Sequence, residues 1–352
     1  MKKTRVLVVK GVGFRKWGGM VSQLPAMLSV IQLVLIAGLS HAWKYSPTDK
    51  PEGWPGLCID GTRQSPIALV AETAERFVVE PLEFFNFKSL NGTLENNGHT
   101  IAIHFDEDHC DSGVTGGMFR GLYVLHEMNF HWDSEHTVNG DRFPLELHLV
   151  HYNSKYSSFS EAIYYHPQDA LAVVGVLFEE SENGTEALDP FLEVVKGIAG
   201  RTGLKDRLPS HFNPLDFLPE VRSSFYRYSG SLTTPPCDEI VTWTIMETKV
   251  PVSKEQMEIF KLVHIPGHDN NSMDFNYRRL QDLNKRDVYL LSDNGAASIS
   301  CALSLILFFV CVWCLCWVWC VCGSAFFLWC CCVCVLFVCL NCVCLGVCVF
   351  CV

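Results

Sequence analysis

Residues 125–153 read LHEMNFHWDSEHTVNGDRFPLELHLVHYN, and no other part of the chain constrains its architecture as tightly. Apolar and polar residues alternate here with the period of a β-strand, whose successive side chains face opposite ways. His131 and His148 stand in two such segments, each with acidic residues nearby on its own strand. Imidazoles pointing inward from neighbouring strands, each backed by a hydrogen-bond acceptor, are how a β-scaffold holds a catalytic zinc ion. Two residues before His131, where a third imidazole on the same face would stand, the chain has Asn129.

Three short runs follow one another through this region: Met128-Asn129-Phe130-His131-Trp132-Asp133, Ser134-Glu135-His136-Thr137 and Glu146-Leu147-His148-Leu149-Val150-His151. Gln64-Ser65-Pro66 and Asn96-Asn97-Gly98-His99 precede them. Ser231-Leu232-Thr233-Thr234-Pro235-Pro236 and Val241-Thr242-Trp243 follow. In this order the chain resembles the α-carbonic anhydrases, whose metal-binding core reads roughly F-H-F-H-W-G, S-E-H-T and E-L-H-L-V-H. The resemblance runs from about Trp43 to about Arg286 and is to the extracellular, membrane-associated type, with Asn129 in place of the first zinc-ligand histidine.

The resemblance implies an α+β, mainly β fold: a large, twisted, mostly antiparallel sheet of about ten strands with peripheral helices. It implies zinc as cofactor and reversible hydration of carbon dioxide to bicarbonate and a proton. Matched onto this chain, the ligand positions are Asn129, His131 and His148. Glu146 and Glu127 stand behind them, Glu127 where the family usually has glutamine. Thr233 and Glu135 match a pair in which the threonine hydroxyl donates to the carboxylate and so must accept from the nucleophile. Val150, Val173, Leu232, Thr234, Val241 and Trp243 match the substrate pocket. His99 matches a proton shuttle, with Tyr45 and Asn97 ordering its water chain; a polar residue common in relatives is Ala102 here. His136 matches a histidine of the core that does not touch the metal. Cys58 and Cys237 match a disulfide of extracellular members.

Two departures bear on activity. A carboxamide oxygen is a weaker donor than imidazole nitrogen and favours harder metals. The connection between Trp132 and Glu135 holds two residues where relatives commonly have several more. His126 does not stand in for the missing imidazole: an odd number of residues from His131, it faces the other way unless a bulge intervenes. A second function therefore stays open, that of a catalytically impaired relative serving as a binding or adhesion module.

The composition is that of three sequences joined. Residues 1–42 form a basic leader whose apolar run, residues 28–39, and Ser40-His41-Ala42 read as a secretory signal peptide. Residues 43–291 are the domain, long enough for one full core. From Ile299 onward no charged residue occurs, and residues 292–352 form a Cys-rich tail. Three readings of that tail stay open: a membrane anchor, a removable glycolipid-anchor signal at Asn294-Gly295-Ala296, or a distal part that is no genuine protein segment. Acidic residues outnumber basic ones 38 to 27, and nothing favours nucleic acid as a partner. The expected location is the secretory pathway, ending outside the cell or on the outer face of its membrane. Oligomeric state is left open.

Of 18 cysteines only Cys58, Cys110 and Cys237 precede the tail. The bridge implied above closes a loop of about 180 residues, worth on the order of 4–5 kcal/mol by chain entropy, and leaves Cys110 as a free thiol. Asn91, Asn183 and Asn270 begin glycosylation sequons. Strands are expected at Thr100–Phe105, Gly121–Met128, Leu145–His151, Leu171–Phe178 and Ile240–Glu247. Helices are expected at Pro190–Ile198 and Ser253–Val263.

Overall fold

The structure is a computed structural model that describes Trp43, Tyr45 and residues 54–106, 111–263 and 275–293. The leader, the tail beyond Asp293, Cys110 and Asn270 lie outside the described residues. Chain order gives β1 (Ala68–Leu69), β2 (Glu75–Val79), β3 (Leu82–Phe85), β4 (Gly92–Asn96), β5 (Ile101–Phe105) and β6 (Gly113–Gly116). There follow β7 (Tyr123–Trp132), β8 (Thr137–Val138), β9 (Asp141–Arg142), β10 (Leu145–Asn153) and β11 (Leu171–Glu180). The last are β12 (Lys205–Arg207), β13 (Ser224–Gly230), β14 (Val241–Met246), β15 (Val250–Val252) and β16 (Tyr289–Asp293).

Thirteen of these strands form one sheet, whose main path is β12-β4-β5-β7-β10-β11-β14-β13-β16-β2. β15 attaches to β11, and β6 and β3 extend from β7. The pairing is mostly antiparallel, as expected. Parallel pairs occur where β11 meets β14 and β15. β1, β8 and β9 make a separate small sheet.

The period of two explains how the sheet divides the molecule. Met128, Phe130 and Trp132 of β7, with Leu145, Leu147 and Leu149 of β10, face one apolar core. The helix Leu188–Ile198 buries Leu188, Phe191, Leu192, Val195 and Ile198 in that same core, one stripe at helical spacing. The intervening residues, Glu127, Asn129 and His131 on β7 and His148 and Val150 on β10, line a cavity on the other face. Both faces of the central strands are covered, so β10 and β11 read as nearly unbroken buried runs.

Each expected element is present with shifted ends. The helix begins at Leu188 because Pro190 sits in its first turn, where a missing N–H costs nothing. Lys254–Phe260 starts after Ser253, which caps it reciprocally with Gln256. β7 continues four residues past Met128, and its pairing with β10 slips between Val150↔Glu127 and His151↔Leu125. His126 is the extra residue of that bulge. It stacks on Phe159 at 3.8 Å between ring centroids, with no place in the cavity lining.

Two imidazoles of this framework, the half-buried His126 and the fully buried His151, are held neutral. Burial pushes His126 and His151 each down from 6.5 to about 4. The folded state thus refuses protons that the unfolded chain accepts, so stability falls as the pH drops from 6.5 towards 4, by about 3 kcal/mol for one such group. Urea midpoints measured across that window should show the loss, and His151→Leu should have a slope shallower by about one proton. Equal slopes for the two proteins would contradict this assignment.

Candidate metal centre

Antiparallel pairing sets His148 opposite Asn129 and Glu146 opposite His131. The rings of His131 and His148 lie 4.5 Å apart between centroids, and both side chains are buried. His131 Nδ1 lies 2.8 Å from the backbone carbonyl oxygen of Asn276, which can only accept. His131 therefore carries its proton on Nδ1 and keeps a lone pair on Nε2, which lies 3.0 Å from Asn129 Oδ1. His148 Nε2 donates to Glu146 Oε1 at 2.8 Å, leaving its lone pair on Nδ1. Burial pushes the pKa of His131 down, keeping the ring neutral. Two imidazoles whose outer nitrogens are already engaged and one carboxamide oxygen, with His131 Nε2 and Asn129 Oδ1 face to face, fit a divalent cation of borderline softness such as zinc.

Glu146 holds this arrangement together. It accepts from His148 Nε2, from His136 Nδ1 at 2.7 Å and from the His136 backbone N–H at 2.8 Å. Burial alone would raise its pKa; the two imidazoles and their hydrogen bonds overcome that and hold it well below the carboxylate range. His136 Nε2 lies 2.6 Å from the Tyr228 hydroxyl, which is 2.9 Å from Ser65 Oγ. His136 is thus a core histidine satisfied on both sides, as expected. Gly175 of β11 leaves the room: a Cβ there would run into Ile245 and stand 3.2 Å from Glu146 Oε1.

The short connection after Trp132 closes without loose ends. Ser134 N–H donates to Phe143 O at 2.7 Å, Ser134 Oγ donates to His136 O at 2.6 Å, and Arg142 Nη1 meets Ser134 O. Glu135, fully buried, accepts the Arg278 backbone N–H on Oε1 at 2.9 Å. Its Oε2 has no partner among the described residues. Thr233 lines the cavity, but among the described residues no hydrogen bond joins it to Glu135, whose Oε1 accepts from Arg278 and whose Oε2 is unpartnered.

The cavity above the pair holds about 260 Å3. Val150, Val173, Leu232, Thr234 and Trp243 form its wall together with Thr233. Val241 does not belong with them. It is fully buried, paired with Leu171 of β11, and packs in the core beside Trp243 and Ile245. Tyr45, Asn97 and His99 lie at the cavity with Ala102. Asn97 Oδ1 accepts the backbone N–H groups of His99 and Thr100, each at 2.9 Å, fixing the turn that carries His99. The His99 ring stacks flat on Trp43, 3.9 Å away and 9° from parallel.

The Cys58–Cys237 disulfide is formed, with its Cα atoms 5.0 Å apart. Gln64 Nε2 donates to Cys237 O at 3.0 Å, and Trp243 Nε1 donates to Ser231 O at 3.0 Å. Together they seat the Ser231–Pro236 loop on the cavity. Sequence reasoning missed Asn276, Arg278, Trp43 and Phe159. Asn276 acts on His131 through its backbone carbonyl, which leaves no trace in residue type. Its side chain donates to His99 O and Phe130 O and accepts from Trp132 N–H.

Residues 49–292 match the eukaryotic-type carbonic anhydrase family. Among curated relatives, carbonic anhydrase 7 of Mus musculus is 36% identical over 262 residues, 70% of this chain and 96% of that protein. Carbonic anhydrase 7 of Homo sapiens is 37% identical over the same length, with the same coverage.

Glu146→Gln tests the hub. A glutamine turns an N–H toward one of the three donors, freeing the His148 tautomer while keeping the shape. Zinc affinity, measured by chelator competition, is expected to fall by about 10–100-fold. Unchanged affinity in a folded variant would remove Glu146 from the site.

Proposed function

The chain belongs to the eukaryotic-type carbonic anhydrase family, and we propose that it performs that family's reaction, the reversible hydration of carbon dioxide to bicarbonate and a proton. The observation that carries this reading is the convergence of His131 Nε2 and Asn129 Oδ1, 3.0 Å apart, beside a His148 whose distal nitrogen is already committed to Glu146. His131, His148 and Asn129 would hold zinc, which when bound supplies the Lewis acidity that makes water nucleophilic near neutral pH.

The chain's own residues do the rest. Val150, Val173, Leu232 and Trp243 offer carbon dioxide an apolar wall and keep bulk water from it. Thr233, at the wall's polar end, orients the attacking oxygen through its hydroxyl. His99 takes up the released proton, since imidazole exchanges protons in the neutral range. Its flat stack on Trp43 keeps the ring at the cavity, where Tyr45 and Asn97 order the path. Export and membrane attachment through the tail belong to the same proposal. They are supported by the Cys58–Cys237 bridge, which suits an oxidising compartment, and by exposed sequon residues Asn91 and Asn183.

Asn129 favours one rival reading, a binding module that keeps the fold without the metal. Zinc content and stopped-flow carbon dioxide hydration separate the two, with Asn129→His alongside the native protein. We expect stoichiometric zinc and measurable hydration in the native protein, with tighter zinc and faster turnover in the variant. Native protein that stays metal-free in excess zinc, beside a metallated and active variant, would establish the binding module. A second outcome concerns His99→Ala: hydration should slow in dilute buffer and recover when imidazole is added, and no recovery would deny His99 the proton.

A further inference from the structure

Asparagine has two ends of nearly equal shape, and only one of them can serve a metal. If Oδ1 faces His131, the side chain presents a ligand. If Nδ2 faces His131, it donates a hydrogen bond into the lone pair of Nε2 and closes the site. Which end turns inward depends on what the other end meets. Asn129 Nδ2 donates to Glu127 Oε1 at 3.5 Å. Across the sheet, the register partner of Asn129 is Ala102, whose methyl group offers neither donor nor acceptor.

Glu127 is itself held. Its register partner is His104, whose Nδ1 lies 3.7 Å from Glu127 Oε2. His104 Nε2 lies 3.3 Å from Glu95 Oε2, and Lys205 Nζ is 2.9 Å from the same oxygen. A polar ladder thus crosses β12, β4, β5 and β7 on one sheet face, from an exposed lysine to the cavity. Lysine, carboxylate, imidazole and carboxylate follow one another, and the group nearest Asn129 is a carboxylate. Turning Asn129 over would put oxygen where Nδ2 now donates to Glu127 Oε1, taking away the hydrogen bond that the carboxamide makes on that side.

We propose that Glu127, held by His104 and Glu95, is a positioning residue that fixes the carboxamide of Asn129 with its oxygen inward, so that an asparagine can complete the metal site. This rests on the zinc reading given above. It predicts a dependence specific to asparagine: beside an imidazole at this position a glutamine at 127 is the family's usual neighbour, and a carboxylate at 129 has oxygen at both ends.

The experiment compares zinc affinity by chelator competition in the native protein, Glu127→Gln, Asn129→His, and Glu127→Gln combined with Asn129→His or with Asn129→Asp. The visible spectrum of each cobalt-loaded protein reports the ligand set. Glu127 is partly exposed and glutamine has its shape, so folding is preserved, which a thermal melt checks. Glu127→Gln is expected to weaken zinc by about 10–100-fold and to change the cobalt spectrum. In the Asn129→His protein the same change should shift affinity by less than about threefold. Asn129→Asp should restore binding to the Glu127→Gln protein. His104→Gln, one rung further out, should weaken zinc in the native background in the same direction. Equal losses in the asparagine and histidine backgrounds, or no loss in either, overturn the inference while native zinc binding stands. Native protein that takes up no zinc overturns the metal reading first, and this one with it.

Discussion

A single buried carboxylate carries the centre of this molecule. Glu146 is fully enclosed, and an isolated charge in that position would cost several kcal/mol. It persists because three N–H donors converge on it, two from His136 and one from His148. Those donors come from the connection after β7 and from β10 itself, so the charge ties loop to strand and sets the proton position on His148. Everything that touches the cluster is shaped to keep it closed. Tyr228 and Ser65 finish the far side of His136, and Gly175 withholds a side chain where one would press on the carboxylate.

A second lock holds the walls. Arg278 donates through Nη1 to Gln64 Oε1 and Ser65 O, through Nη2 to Cys58 O, and through its backbone to Glu135. Burial pushes its pKa down to about 10, still far above neutrality, so the guanidinium stays charged while it binds carbonyls. It joins the segment 275–278 to the disulfide and to the turn at Gln64. Asn276, two residues earlier, uses the same segment to orient His131. One irregular stretch thus serves both the His131 tautomer and the loop that carries Thr233.

The sequence disclosed those parts of the fold that obey a period. Leu145–His151 and Leu171–Phe178 alternate or run apolar because one or both faces are buried, and both strands lie where that pattern puts them. β7 was harder to read. Its last four residues include Asn129 and His131, polar side chains whose burial is explained by a cavity that the pattern does not reveal. The bulge at His126 was foreseen only as a condition, since a register slip leaves no mark on composition. Among site residues, motifs pointed to His131, His148 and Glu146, which the structure brings together, whereas it seats Val241 in the core and leaves Thr233 and Glu135 without a mutual hydrogen bond. Those assignments depend on the depth and direction of a side chain, which neighbouring strands decide.

The residues of this site differ in what they say about catalysis. Glu146 and His136 would be needed by any protein with this sheet, because removing either leaves a buried polar group without its partner. Their presence argues for the fold more than for the reaction. His99 and Thr233 are different. No packing demand calls for an imidazole stacked on Trp43 at the cavity or for a hydroxyl on the loop pinned by Cys237. An aliphatic side chain would fill either place, and a surface used only for binding has no use for a proton acceptor there. Weighed this way, the asparagine at position 129 speaks against tight metal binding, while His99 and Thr233 are the residues that favour the proposed reaction over a binding module.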